Sequence, residues 1–230
     1  TVSVPSEGRK SVIHYFLAND VASLLYLVNL GCIDHNPWAS RTDALDQPDW
    51  VIFDLDPTDG TPYSTTVAVA RTVNARLEAL GLQPFIKTSG ATGIHLYVPL
   101  ERVYTYEQVR TFAEIVARLV AADEPERVTQ ERSVEKRVKG KVYVDVFQNV
   151  AGKPLAAPYC ARAFPHAPVS APVTPEELRS TLRAEQFTIK TMGARLEKKG
   201  DLWGSFWKKR QRLEEATKLL AAQVTRLKKR

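Results

Sequence analysis

The sequence predicts a mixed α/β or α+β fold, because short β-rich runs alternate with segments of helical periodicity. Its 230 residues, 44% hydrophobic and 25% charged, have the composition of a soluble globular protein with enough chain to bury a core. No run approaches the roughly 18 consecutive apolar residues that a membrane helix requires, so we expect no membrane partner.

Two predicted helices in the first half of the chain have recognisable ends. Asp20 is a favourable N-cap for residues 21–28, and Gly31 ends that helix. Residues 61–80 open on Thr-Pro and are followed by Gly81, which is typical of a second helix.

Four apolar or β-branched runs predict strands. They are residues 50–56, 84–88, 94–98 and 142–147. The second and third are joined by the short glycine-containing link 89–93, which favours a hairpin.

The second half of the chain contains three further predicted helices. Thr105 and Gln108 form a capping box for a helix that reaches about Ala122, and residues 174–177 start another by the same pattern. Residues 205–230 predict a long terminal helix that is basic on one side.

The net charge of +6 is unevenly distributed. Residues 208–230 contain nine Lys or Arg and two Glu, whereas residues 1–207 contain 23 basic and 24 acidic residues. We therefore separate a near-neutral domain, residues 1–207, from a basic C-terminal helix, residues 208–230. A polyanion such as DNA, a partner domain or solvent alone is compatible with that helix.

Cysteine usage and the start of the sequence bear on location. Cys32 and Cys160 have neither metal-ligand spacing nor the pattern of a disulfide framework, which favours a reducing cytoplasm. The first ten residues lack a signal peptide and an initiator Met, so we expect a processed or excised chain.

Three aspartates are candidate metal ligands. Asp54 and Asp56 are two apart at the end of an apolar strand, so both carboxylates project from the same face. Asp145 stands among apolar residues in another strand, where an unpaired carboxylate is costly to bury. If the strands pair, three carboxylates converge, enough to hold two divalent ions about 4 Å apart. Surface or capping roles remain the alternatives.

The segment 87–95 is a candidate anion site. Its small residues let the backbone curl around an anion, and Lys87 and His95 flank the loop with positive charge or donors. It has no P-loop spacing, and an ordinary hairpin turn is the alternative.

A basic run precedes the Asp145 strand and could follow a nucleic-acid backbone, although a solvated loop is the commoner explanation. Arg162 is a further candidate phosphate ligand, since guanidinium geometry suits bidentate contact. The basic run consists of Arg132, Lys136, Arg137, Lys139 and Lys141.

Five segments together resemble the polymerase domain of bacterial ATP-dependent DNA ligase D, which belongs to the archaeo-eukaryotic primase superfamily. They are residues 31–41, 48–57, 87–100, 142–149 and 157–172. The resemblance extends to about residue 207 and implies an α+β primase-polymerase core. Such a core has mixed or antiparallel sheets flanked by helices, with the active site between them.

The resemblance also assigns roles. Asp54, Asp56 and Asp145 match catalytic ligands of two Mn²⁺ or Mg²⁺ ions, and Ser89 and His95 match residues that hold the triphosphate of an incoming NTP or dNTP. Lys87 and Arg162 lie at matching basic positions in the nucleotide site. Beside such a phosphate-handling site, we expect the basic run described above to contact DNA because of its charge. The implied reaction is attack by a primer 3′-hydroxyl on the α-phosphate.

The implied biological setting is non-homologous end joining in the bacterial cytoplasm, in association with the nucleoid. Expected partners are DNA ends with a 3′ overhang or gap, nucleoside triphosphates, a ligase domain and a Ku-type end-binding protein. Other hypotheses are a catalytically weak DNA-end-binding module and a phosphoesterase.

Two features depart from the family pattern. Asn36 stands where the family has a His before Pro-Trp, and His35 falls one position early. Family members also have roughly seventy residues before the position of residue 1, within an ordinary domain size. That segment includes groups that grip a 5′-phosphate, so we expect end recognition to be weakened.

Overall fold

The computed structural model describes residues 1–5 and 12–227, which form a two-stranded antiparallel sheet, a six-stranded sheet and five α-helices. The small sheet consists of β1 (Val2–Pro5) and β2 (Val12–Tyr15). The sheet strands are β3 (Trp50–Pro57), β4 (Phe85–Thr88), β5 (Ile94–Pro99), β6 (Val128–Thr129), β7 (Val142–Asp145) and β8 (Pro172–Val173). The helices are α1 (Val21–Asn29), α2 (Tyr63–Ala79), α3 (Tyr106–Asp123), α4 (Met192–Lys199) and α5 (Glu214–Leu227).

The large sheet is mixed. Its spatial order is β6-β7-β3-β5-β4-β8, and every neighbouring pair is antiparallel except β6 and β7, which are parallel. The α+β fold class with a mixed sheet and flanking helices is therefore confirmed.

Strand β3 divides the two faces of this sheet. Val51, Phe53 and Leu55 are completely buried in the core that α2 and α3 form with one face. Asp54 and Asp56 alternate with them and so lie on the opposite face. Side chains along β3 thus alternate between the core and the face that carries the candidate site.

An aromatic cluster covers part of the opposite face. Trp203 and Phe206 stack with ring centroids 4.8 Å apart and pack on Phe85 and Tyr97 of the sheet. This cluster lies toward the Trp50 end of β3, away from the two aspartates at the other end.

Local capping signals identified the first three helices. Asp20 Oδ1 accepts a hydrogen bond of 2.7 Å from the Ser23 amide at the start of α1. The Thr105–Gln108 capping box forms at the start of α3. Helix α2 begins after Pro62 and ends before Gly81, one or two residues from the predicted bounds.

Two predicted elements are shorter than expected. The strand predicted over residues 142–147 ends at Asp145, because Asp145 Oδ1 accepts a hydrogen bond from the Phe147 amide and the chain turns. The capping box at Thr174 forms but starts only the 3₁₀ turn Pro175–Glu177, since Leu178 turns into the core.

The predicted helix over residues 205–230 was wrong in its first part. After the 3₁₀ turn Phe206–Lys208 the chain is extended at Gln211, whose amide donates to Pro99 O and whose carbonyl accepts from the Glu101 amide. Only then does α5 begin at Glu214. Residues 228–230 of that prediction lie outside the described residues.

The elements β1, β2, β6, β8 and α4 are short or irregular and were not predicted from the sequence. In the part of the chain that the structure describes, no helix is both long and apolar enough to cross a membrane.

Asn149 extends the pairing of β3 beyond the end of β7. Its Oδ1 accepts from the Ile52 amide at 2.8 Å, and its Nδ2 donates to Ile52 O at 2.8 Å and to Val146 O at 2.9 Å. The buried side chain therefore takes the place of a neighbouring strand.

Replacing Asn149 by leucine leaves both buried backbone groups of Ile52 without these partners. We expect Asn149→Leu to lower the free energy of unfolding by about 3 kcal/mol, since each unsatisfied buried group costs about 1–3 kcal/mol. Urea unfolding measures this, with exposed Asn29→Leu as the control expected to change by less than about 0.5 kcal/mol. A loss at Asn149 no larger than the control's would contradict the strand-substitute role.

Candidate active site

One row of side chains crosses four strands of the sheet. The register pairs Asp145 with Asp54, Asp54 with His95, and His95 with Lys87. Residues directly opposite in neighbouring strands have Cβ atoms about 5 Å apart and project from the same face. The strand pairing alone therefore sets two acids, an imidazole and an ammonium side by side.

Asp54, Asp56 and Asp145 form one carboxylate cluster. One oxygen from each lies within 4.8 Å of the others. Asp54 is buried and the other two are partly buried. Asp54 Oδ1 is buried, and its neighbouring polar atom is His95 Nε2 at 3.1 Å, which is not in hydrogen-bonding geometry with it. Carboxylate oxygens are the donors that hard divalent cations prefer, so this donor set fits such an ion.

Burial raises the pKa of each carboxyl in the cluster. It raises the pKa of Asp54 to about 7, against the opposing effect of Lys87 and Arg162. It also raises the pKa of Asp56 to about 7, and here the charges of Asp54 and Asp145 add to the effect. The pKa of Asp145 is raised mainly by burial as well. The cluster is therefore an unfavourable place for three negative charges unless a proton or a cation neutralises them.

The other half of the row is hydrogen-bonded beneath the surface. Lys87 Nζ donates to Ser170 Oγ at 2.6 Å and lies 2.9 Å from His95 Nδ1. His95 Nε2 lies 3.1 Å from Asp54 Oδ1. Burial lowers the pKa of Lys87 to about 7, and burial together with the Lys87 charge holds the pKa of His95 well below its usual range.

The link 89–93 between β4 and β5 is held by its own serine. Ser89 Oγ accepts hydrogen bonds from the amides of Ala91 at 3.1 Å and Gly93 at 2.9 Å, so the hydroxyl proton is left to donate outward. A Cβ at Gly93 would lie 2.7 Å from Leu55 O. The absence of a side chain there lets the loop pack directly on β3 beside the carboxylates.

Arg162 is fixed against this loop. Its Nη1 donates to Ser89 O at 2.6 Å, and its Nε donates to Asp34 Oδ2 at 2.9 Å. Asn36 Nδ2 donates in turn to Asp34 O at 3.0 Å. Asn36, noted as a departure from the family pattern, thus lies beside the carboxylate that holds Arg162.

Two arginines of the basic run lie over aromatic rings at the edge of the carboxylate cluster. The Arg137 guanidinium carbon is 3.8 Å from the ring centroid of Tyr143, and that of Arg132 is 3.7 Å from that of Phe147. Tyr143 pairs with Asp56 in the sheet, which brings Arg137 close enough to oppose the raised pKa of Asp56.

The remaining lysines of the run face other groups. Lys139 Nζ lies 3.7 Å from Asp59 Oδ2 in a highly exposed pair, and Lys141 Nζ donates to Pro125 O at 2.7 Å. Lys136 is exposed. The run therefore divides into two arginines at the site and three lysines outside it.

Two residues of this site, Asp34 and Ser170, are not indicated by the sequence motifs. Both are polar and lie in the segments 31–41 and 157–172, which resemble the family. Their position in those segments is the available signal, because hydrophobic periodicity does not distinguish buried polar residues.

Comparison with known proteins gives consistent matches. The family model described as the LigD primase-polymerase domain matches residues 1–203. A multifunctional non-homologous end joining protein LigD of Pseudomonas aeruginosa is 35% identical over 196 residues, which is 84% of this chain and 23% of the relative. A bifunctional LigD of Bacillus subtilis is 31% identical over 199 residues, which is 86% of this chain and 32% of the relative.

A solved structure has the same fold. The polymerase domain from Mycobacterium tuberculosis Ligase D in complex with DNA superposes with a TM-score of 0.78 and 27% identity, covering 91% of this chain and 75% of that one. The chain thus spans between about a quarter and a third of the length of the two curated relatives above.

The raised pKa of Asp56 makes the stability of the metal-free chain depend on pH. Its folded-state pKa of about 7 exceeds the ordinary 3.8, so its contribution to stability is lost as pH rises from about 4 to about 7. We expect Asp56→Asn to raise the free energy of unfolding at pH 8 by about 1–2 kcal/mol, allowing for solvent screening, and the gain to vanish near pH 4.

Urea unfolding in the presence of a chelator at the two pH values measures this gain. Asp59→Asn, in an exposed pair a few residues beyond β3, is the control expected to be neutral at both. A gain at Asp56 that is equal at pH 4 and pH 8 would rule out relief of charge repulsion.

Proposed function

The chain belongs to the LigD primase-polymerase domain family, and we propose that it is a metal-dependent nucleotidyltransferase that adds nucleotides to DNA 3′ ends during non-homologous end joining. The observation that carries this proposal is the row in which two buried or partly buried acids on β3 and β7 continue into His95 and Lys87. The aspartate end of this row suits divalent cations, and the end with His95 and Lys87 suits an anion.

Asp54, Asp56 and Asp145 are the proposed ligands of two divalent ions, Mn²⁺ or Mg²⁺. The oxygen donor set, the burial of Asp54 Oδ1 and the mutual repulsion of the carboxylates support this assignment. Bound ions of this kind polarise the phosphate and lower the pKa of an attacking hydroxyl.

Ser89, His95 and Arg162 are the proposed contacts of the triphosphate of an NTP or dNTP. The Ser89 hydroxyl has its proton available, since its oxygen already accepts two amide hydrogen bonds. Arg162 is held in place by Asp34 and by the Ser89 carbonyl, so its charge lies beside the loop before a ligand arrives. Preorganised donors of this kind stabilise charge that develops on phosphate oxygens.

Lys87 belongs to the same proposed nucleotide site but lies beneath it. Its side chain is completely buried, and its hydrogen bonds go to His95 and Ser170. We assign its positive charge to balancing the negative charge of Asp54 from below the site.

DNA ends with a 3′ overhang or gap are the proposed polymer substrate. Arg132 and Arg137, stacked on Phe147 and Tyr143, are proposed to contact the strand at the active site. The outer lysines of the run, Lys136, Lys139 and Lys141, would then contact phosphates further along the DNA strand.

A ligase domain and a Ku-type end-binding protein are the proposed protein partners. The proposed location is the bacterial cytoplasm, at the nucleoid.

Removing two of the proposed metal ligands tests the function directly. We expect the double substitution Asp54→Ala and Asp56→Ala to reduce Mn²⁺-dependent primer extension at least about 1,000-fold, because metal stabilisation of a transition state is worth several kcal/mol. Electron paramagnetic resonance titration should show that Mn²⁺ binding is lost in parallel. Asp59→Ala is the matched control, expected to retain both.

Three outcomes would contradict this function. Undiminished extension by the double variant refutes the metal site. Duplex binding by the wild-type chain without any nucleotide addition favours the end-binding module. Release of nucleotides from the end in place of addition favours the phosphoesterase.

The salt dependence of DNA binding tests the basic run. We expect Lys136→Gln with Lys139→Gln to flatten the slope of log Kobs against log salt by about 1–2, since each phosphate contact contributes about 0.9. Arg71→Gln with Arg118→Gln removes two charges from the exposed surfaces of α2 and α3, on the opposite face, and should leave the slope unchanged.

A slope that is insensitive to Lys136 and Lys139 would contradict this contact. Lys208→Gln with Lys209→Gln then tests the alternative that the exposed start of the basic tail is the DNA contact. Substitution is preferable to deletion of the tail, because Leu213, Ala216 and Leu220 of that segment are buried in the core.

A further inference from the structure

Lys87 is a charged side chain in the interior of the protein. Lys87 is 0% exposed, although it lies directly beneath the loop at residues 89–93. In the described part of the chain, no carboxylate oxygen lies within ion-pair distance of its ammonium group. Burying an ammonium group without such a partner is costly, so the position calls for a specific role.

Ser170 determines the direction of the Lys87 hydrogen bonds. Its hydroxyl donates to Thr88 O at 2.9 Å, so its proton is committed and its oxygen accepts from Lys87 Nζ at 2.6 Å. Ser170 is also 0% exposed. The ammonium is thereby held between one fixed acceptor and the His95 ring.

The contact between Lys87 and His95 defines the tautomer of the imidazole. The negative charge of Asp54 favours the ammonium form of Lys87, which has only donors. With Lys87 in this form, the Nδ1 atom 2.9 Å from its Nζ is the acceptor. A neutral ring that accepts at Nδ1 carries its proton on Nε2. That nitrogen faces the carboxylate cluster, 3.1 Å from Asp54 Oδ1.

We propose that Lys87 and Ser170 are positioning residues that hold His95 in the Nε2–H tautomer, so that its proton faces the carboxylate cluster and the phosphate bound there. This inference rests on the proposed function for the identity of the phosphate. It differs from a role of Lys87 as a direct nucleotide ligand, because Lys87 acts through His95 and needs Ser170.

The tautomer is measurable in the metal-free chain without any activity. The chain contains four histidines, and ¹⁵N-labelled histidine gives distinct shifts for protonated and unprotonated ring nitrogens. The spectrum of His95→Gln assigns the His95 signals. We expect an unprotonated Nδ1 in the wild-type chain, and a shift toward the Nδ1–H tautomer in Lys87→Met and in Ser170→Ala.

Nucleotide kinetics supply the second readout. We expect Lys87→Met and His95→Gln each to lower kcat/KM about 100–1,000-fold, the usual range for loss of a donor at an oxyanion. The double variant should match His95→Gln within about threefold, because both substitutions remove the same donor. Ser170→Ala should give a smaller loss of the same kind, and exposed Lys198→Met is the unchanged control.

The outcomes separate this inference from the proposed function. Retention of the Nε2–H tautomer in both Lys87→Met and Ser170→Ala overturns the positioning role, as does full additivity of Lys87→Met and His95→Gln. If Lys87→Met does not fold, Ser170→Ala decides the question by the same spectrum. A chain that adds no nucleotides refutes the proposed function but leaves the tautomer measurement intact.

Discussion

The repulsion between Asp54 and Asp145 is the constraint around which this site is organised. Antiparallel pairing of β3 with β7 sets the two carboxylates directly opposite each other. Like charges at such a position destabilise a sheet, and partial burial removes the water that would otherwise screen them. Apolar packing on the other face of β3 offsets the free-energy cost of this repulsion, since Val51, Phe53 and Leu55 are completely buried in the core.

Charge compensation comes from the opposite end of the same row. In the same row, His95 on β5 and Lys87 on β4 follow Asp54. Arg162, which is held by Asp34, contacts the loop that joins these two strands. The row therefore changes from negative to positive over four strands. In the proposed complex the cation would face the aspartates, and the phosphates would face the His95 ring and Arg162 at the loop.

The sequence could predict the parts of this arrangement that depend on local pattern. Alternation along residues 50–56 placed Asp54 and Asp56 on one face, and capping residues located α1 and α3. The burial of Lys87 was not predictable in this way, because it depends on Ser170, 83 residues away in the chain. The break in the terminal helix has the same origin, since the pairing of Gln211 with Leu100 is non-local.

Asn36 lies at the edge of this site, beside Asp34. The resemblance leads one to expect a histidine there, which can carry a proton or a positive charge, whereas an amide can carry neither. Asn36 Nδ2 instead donates to the backbone oxygen and, at 3.3 Å, to the carboxylate of Asp34. Because that carboxylate also accepts from Arg162, the amide at position 36 contacts the group that holds Arg162 and adds no charge to the site.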